Sequence, residues 1–132
     1  MTATDVSEAQ IQRAIRHPRV KYIHTKPTGD LVSLIGSENE VDLITVAQAV
    51  HWFDLPTFYS ASTRLLKKPG GVIAVWGYND VQVSPVFDRA FSRFLETILP
   101  YWDPRMRYLF DGYKTLPFPF EGVGLGLSLI HI

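Results

Sequence analysis

Two short runs constrain the fold more than any other feature. Residues 41–46 (VDLITV) are almost continuously apolar with one acid, and residues 72–76 (VIAVW) are wholly apolar. Runs of β-branched residues that do not alternate with polar ones predict strands buried on both faces, as in a parallel sheet covered by helices. A third β-prone run, residues 19–25 with Val20, Tyr22 and Ile23, follows the breaker His17-Pro18.

Capped helical patterns lie between these runs. Ser7 followed by Gln10 is a capping-box signature, with Ile11, Ala14 and Ile15 on one helical face. Asp30 to Leu34 predicts a short helical turn stopped by Gly36. Asp54 stands where it caps a helix carrying Phe58, Ser62, Leu65 and Leu66 at helical spacing. Lys67 and Lys68 oppose the negative end of its dipole, and Pro69-Gly70-Gly71 ends it. Ser84-Pro85 opens a helix whose apolar stripe is Phe87, Phe91, Phe94, Leu95 and Ile98. The order helix, strand, short helix, strand, helix, strand, helix predicts an α/β layer fold with a parallel sheet. Residues 100–132, broken by four prolines and then by Gly122, Gly124 and Gly126, read as an irregular extension.

Composition narrows the partners. In 132 residues, 13 basic and 13 acidic side chains cancel, which predicts neither nucleic acid nor an anionic membrane face as a partner. Hydrophobic residues at 46% against charged residues at 20% fit one globular domain. No apolar run reaches the roughly 18 residues needed to span a bilayer, and no basic-then-apolar leader opens the sequence. Absence of cysteine excludes disulfides, thiolate zinc sites and cysteine nucleophiles, and fits a reducing, cytoplasmic setting.

Ligands of doubly wound sheets bind at the carboxyl ends of strands, so the residues just after each strand are the ones to weigh. Asp5 precedes a capped helix, where an acid either accepts from the hydroxyls of a ribose or simply complements the helix dipole. Residues 41–54 (VDLITVAQAVHWFD) are the richest stretch. They pass from a buried-type strand to small residues, Ala47 and Ala49, then Gln48, then His51-Trp52-Phe53. Small residues let a ligand approach the backbone, and the face of Trp52 suits an apolar or sulfonium-bearing group. The bland alternative makes His51 a satisfied loop histidine and Trp52 ordinary core. His17, His24, His51 and His131 lack paired ligand spacing, so no metal site is expected. There is no Gly-x-Ser-x-Gly elbow and no phosphate-binding Gly-x-x-x-x-Gly-Lys loop. The glycines at 122–126 follow no buried strand and read as tail. Arg105 and Arg107, beside Trp102 and Tyr108, offer cations for an anionic substrate or a solvated helix face.

Three stretches together, residues 4–14 (TDVSEAQIQRA), 41–54 and 65–78 (LLKKPGGVIAVWGY), resemble the class I S-adenosylmethionine-dependent methyltransferases. The likeness is nearest to the small-molecule group containing trans-aconitate methyltransferases and embryo-abundant-protein-like members, and it covers residues 3–121. It implies a Rossmann-like doubly wound methyltransferase fold with S-adenosyl-L-methionine as cofactor and a small-molecule methyl acceptor. By the resemblance Asp5 grips the cofactor ribose and Val6 lies against the adenine. Gly29 and Asp30 stand where relatives carry an acid contacting adenine. Ala47 and Gln48 lie beside the methionine portion. His51 and Trp52 stand at the entrance to the substrate pocket, with Trp102, Arg105, Arg107 and Tyr113 as liners. The chemistry implied is in-line displacement, which depends mainly on proximity and orientation. A carboxylate acceptor, favoured by the two arginines, would need no base.

The likeness also has gaps. Before Asp5 there is no strand with an acidic, glycine-rich loop, and the closing strands of the family sheet have no counterparts. The expectation is therefore an incomplete methyltransferase domain over residues 1–121, followed by an irregular tail over 122–132. A sheet without its central strand leaves two half-sheets with unpaired edges. Such a chain binds the cofactor poorly or is an inactive remnant or interaction fragment. A nicotinamide-dependent dehydrogenase shares the ribose acid and the parallel sheet, but gives His51-Trp52-Phe53 no reason to follow the strand.

Overall fold

The computed structural model describes residues 1–26, 30–79 and 81–122. The chain divides into two compact units, one of Met1–Ile44 with Pro56–Ile73 and the other of Thr45–Leu55 with Ala74–Ile132. Thr28, Gly29, Gly124, Gly126 and the LSLIHI tail lie outside the described residues.

In the first unit, β1 (Thr2–Asp5) pairs in parallel with β2 (Lys21–His24), Asp5 opposite His24. Between them runs α1 (Glu8–Arg13), capped by the Ser7 hydroxyl accepting from Gln10 N. The helix is shorter than the apolar pattern predicts. Ala14 is already extended and Ile15 is 91% exposed, because the chain turns there toward His17-Pro18 and β2. The Tyr22 hydroxyl donates to Ile15 O at 2.6 Å and holds that turn. α2 (Leu31–Ile35) is capped by Asp30 and closed by Gly36 in the left-handed conformation, φ 101°. α3 (Leu55–Leu65) buries Phe58, Tyr59, Ser62 and Leu65, and Leu66 after it, so the predicted spacing marks its inward face.

β3 (Leu43–Ala47) and β4 (Val72–Trp76) form a second two-stranded sheet. Val72 N donates to Asp42 O and Gln48 N to Trp76 O, so the two strands run in the same direction. The expected burial on both faces does not occur. In β3 only Ile44 and Val46 turn inward, while Leu43 is 53%, Val72 44% and Trp76 50% exposed. Each described strand has a single neighbour, and one face of the pair stays in solvent. The described strands thus form two pairs and not one sheet.

In the second unit, a 3₁₀ turn (Val50–Trp52) follows β3, with Val50 fully buried. Ser84 caps α4 (Pro85–Ile98) through Phe87 N, with Pro85 at its first position as predicted. Its apolar stripe stays at the surface: no residue of α4 is buried, and Phe94 is 55% exposed. The segment after α4 is not mere extension. It forms 3₁₀ turns at Leu99–Tyr101 and Pro104–Met106 and then α5 (Arg107–Phe110), and it buries Leu109 and Leu116. Among the described residues, no helix is long and apolar enough to cross a membrane.

Candidate functional site

Asp5 closes β1 with its backbone O accepting from Thr25 N, and its side chain is exposed. Oδ1 accepts from Ser7 N at 2.7 Å, and among the described residues Oδ2 has no partner. One carboxylate oxygen orders the chain entering α1, and the other stays open. Val6 is 58% exposed, and its carbonyl faces His24 Nε2 at 3.1 Å. Beside Asp5 a cleft of about 270 Å³ lies between α1 and the strands, lined by Ala3, Thr4, Gln10, Ile11, Arg13, Ala14 and Tyr22. Sequence reasoning missed Gln10, Arg13 and Tyr22, because only the pairing of β1 with β2 brings them to one place. Asp30 uses both carboxylate oxygens on α2, Oδ1 for Val32 N and Oδ2 for the Ser33 hydroxyl. The Ser33 bond, with those from the backbone N–H groups of α2, holds its pKa below the usual carboxylate value.

The second unit is more tightly tied. Ala47 ends β3 exposed. Gln48 follows in the left-handed conformation, φ 52°, uncommon for a residue with a side chain. Its carboxamide closes on the backbone of Tyr78, Oε1 accepting from Tyr78 N at 2.9 Å and Nε2 donating to Tyr78 O at 3.0 Å. Gly77 permits this approach. A Cβ there would lie 2.7 Å from Gln48 Oε1, 2.7 Å from Leu109 Cδ1 and 2.9 Å from the Tyr113 hydroxyl. Gly77 has no sequence signal beyond its place after β4.

His51 is buried, and its Nδ1 lies 3.1 Å from the Tyr113 hydroxyl. Tyr113 also has a left-handed backbone, φ 60°. Burial first, then the nearby Arg105 charge, lowers the His51 pKa from the ordinary 6.5, and Asp103 opposes them. The imidazole is therefore neutral at physiological pH. Trp52 is not ordinary core. It is 45% exposed, its ring lies 4.9 Å from His51, and the Arg105 guanidinium sits 4.9 Å from its centroid. Arg105 is also held by Asp103, through Nε at 3.0 Å and a terminal nitrogen at 2.7 Å. Those bonds carry the Asp103 pKa down to about 2.

Of the predicted liners, the fold joins His51, Trp52, Arg105 and Tyr113. Arg107 instead lies over Tyr108 at 5.1 Å, and Trp102 packs on Phe110 at 5.4 Å. The two arginines thus have different aromatic partners.

No family model matches the chain. Over 120 residues it is 38% identical to a protein of Dictyostelium discoideum named "putative methyltransferase", a match covering 87% of this chain and 43% of that protein. It is also similar to a solved structure described as a "putative type II methyltransferase" from Anaeromyxobacter dehalogenans. The identity there is 35% and the TM-score 0.77, over 95% of this chain and 52% of the other. The chain spans about half the length of these relatives. The likenesses support a methyltransferase lineage and a Rossmann-like α/β fold.

Proposed function

We propose that this chain is part of an S-adenosylmethionine-dependent methyltransferase acting on a small-molecule acceptor, a carboxylate by preference. The observation that carries this reading is the 38% identity to a protein named "putative methyltransferase" over 120 residues. A match over 87% of the chain takes in the central strand–Ala-Gln–His-Trp segment. The chemistry of Asp5 fits the cofactor's ribose. It is an exposed carboxylate at a strand end, with one oxygen engaged by Ser7 N and the other open. Asp5 and Val6 are assigned to the ribose and adenine. When bound, the cofactor supplies an electrophilic methyl group. The chain's own residues bind and orient. Gln48, closed on Tyr78, fixes the backbone after β3 and does not lend its carboxamide. His51 and Trp52 border the acceptor side, and Arg105 contributes positive charge to it.

A second reading, an inactive or interaction fragment that binds no cofactor, draws on the two separate strand pairs. Two-stranded sheets with open edges are marginal supports for a ligand site. A thermal-shift experiment separates these readings. The first expects weak protection by S-adenosylhomocysteine at millimolar concentration and no response to NAD. Protection by NAD alone overturns it in favour of a dehydrogenase, and protection by neither overturns it in favour of the inactive fragment. Isothermal titration checks the expected incompleteness of the site: a micromolar dissociation constant for the chain by itself would contradict it.

A further inference from the structure

α4 is the longest helix among the described residues, yet it buries none of them. Its apolar face is ordered all the same. Phe87 and Phe91 stack with centroids 5.6 Å apart, and Phe91 and Phe94 with centroids 6.4 Å apart, so the three rings form a ladder along one side. Ile98 extends the ladder by a turn. Phe87, Phe91, Phe94 and Ile98 follow one another at intervals of 4, 3 and 4 residues, the spacing of a seam between two packed helices. At 3.6 residues per turn Arg89, Arg93 and Glu96 fall on the far side. Asp88, at the flank of the ladder, is tied to Val83 N at 2.9 Å.

We propose that α4 is a self-association surface, through which two copies of the chain pair antiparallel as a weak two-fold dimer. A helix of this length owes most of its stability to an apolar face that is covered. The cover must be as free of charge as the ladder, since an unpaired charge pressed against it would lose its water. A second α4 meets that condition. Run antiparallel, the two ladders face each other with no like charges between them and with their dipoles opposed, and the neutral chains do not repel. The area suffices for a weak pair. Aromatic side chains carry about 150–250 Å² each, so Phe87 and Phe94, 42% and 55% exposed, each leave about 100 Å² in solvent. With the partly exposed Phe91, Leu95 and Ile98, and with Val83 and Trp102 near the helix ends, each copy offers about 500 Å². A pair then buries about 1,000 Å², the lower limit for a specific association. Helices that lie on anionic membranes carry an excess of basic residues, whereas α4 has two arginines and two acids. The surface is independent of the methyltransferase reading, and neither decides the other.

Sedimentation equilibrium tests this. The mass should rise from one chain toward two across the micromolar to millimolar range. A chain that stays monomeric throughout, or that grows beyond two copies, overturns the proposal. Phe87→Ser with Phe94→Ser removes two exposed rings without touching the core and should leave a monomer. Arg89→Ala with Glu96→Ala, on the far side, should dimerise as the wild type does. Dimers that survive the first change, or vanish with the second, place the contact elsewhere. Should the ring variant not fold, spin labels decide. The chain has no cysteine of its own, so Ser92→Cys and Thr97→Cys each give one label per copy. In an antiparallel pair the distance between copies is longer at 97, near the helix end, than at 92, near its middle. Equal distances overturn the antiparallel arrangement, and absence of any signal between copies overturns the pairing. A chain that stays monomeric yet floats with phosphatidylcholine vesicles overturns it in favour of a lipid surface.

Discussion

Asp5 ends β1 and Gln48 follows β3, so both stand at the carboxyl end of a parallel strand. Asp5 gives one oxygen to Ser7 N and keeps the other open, in a side chain that solvent reaches freely. Gln48 gives both ends of its carboxamide to Tyr78, on a left-handed backbone and against a glycine that cannot grow a side chain. The same topological position thus leaves a carboxylate oxygen open in one unit and is taken up by the protein's own backbone in the other. The difference teaches that a strand end marks a place for function without saying which atoms are free. The open carboxylate presents chemistry directly. The closed amide does so at one remove, by fixing the chain that carries His51 and Trp52.

The largest expected effect compares two glycines. Gly77→Ala places a Cβ within 2.7 Å of Gln48 Oε1 and of Leu109 Cδ1. Overpacking of that kind costs about 1–3 kcal/mol, and we expect the upper part of the range because the amide is bonded at both ends. Gly36→Ala meets no atom within 4 Å and pays only for its left-handed backbone, φ 101°, about 1 kcal/mol. Urea denaturation of both variants checks the order. Equal losses would mean that Gln48, Leu109 and Tyr113 yield easily, and the second unit would then be no more tightly fitted than the first.

These glycines also show what was legible in the sequence. Gly36 was readable because a helix stop is local: Asp30, four apolar residues among five, then glycine. Ser7 and Ser84 were readable as caps for the same reason. Gly77 was not, since its constraint arises from residues 29 and 36 positions away along the chain. β1 escaped the hydrophobic pattern because TATD holds only one apolar residue, and the family resemblance alone put a strand end at Asp5. Residues 41–46 misled in the other direction. Their composition suits burial on both faces, yet burial depends on neighbours, and each described strand has one. α4 repeats the lesson: its stripe predicts a helix well and a covered face badly.

Acidification should part the two units by a smaller margin. The His51 pKa is lowered by burial, so the unfolded chain takes up this proton before the folded one. Its contribution to stability is complete above about 6.5 and is lost as pH falls through the lowered folded value. In the first unit Asp30 is lowered by its Ser33 bond. Its contribution is complete above 3.8 and is lost only as pH falls through its own lowered value. Asp103 adds a later loss in the second unit, as pH falls from 3.8 through about 2. Amide hydrogen exchange, corrected for its intrinsic pH dependence, should lose protection at Val50–Trp52 before Leu31–Ile35 as pH falls. Loss in the opposite order would show that His51 is not held neutral by its surroundings.

The smallest expected effect on stability bears most directly on the comparison. Asp5→Ala removes one exposed bond to Ser7 N, and substitutions at such sites change stability by about 0.5 kcal/mol or less. Ser7→Ala removes the cap of α1 and costs about 1 kcal/mol. If Asp5 serves a ligand, its alanine variant keeps its melting temperature and loses protection by S-adenosylhomocysteine. Ser7→Ala should do the reverse, melting earlier while protection by the ligand persists. Should Asp5→Ala lose as much stability as Gly77→Ala, its carboxylate is structural, and the contrast between an open strand end and a closed one does not hold.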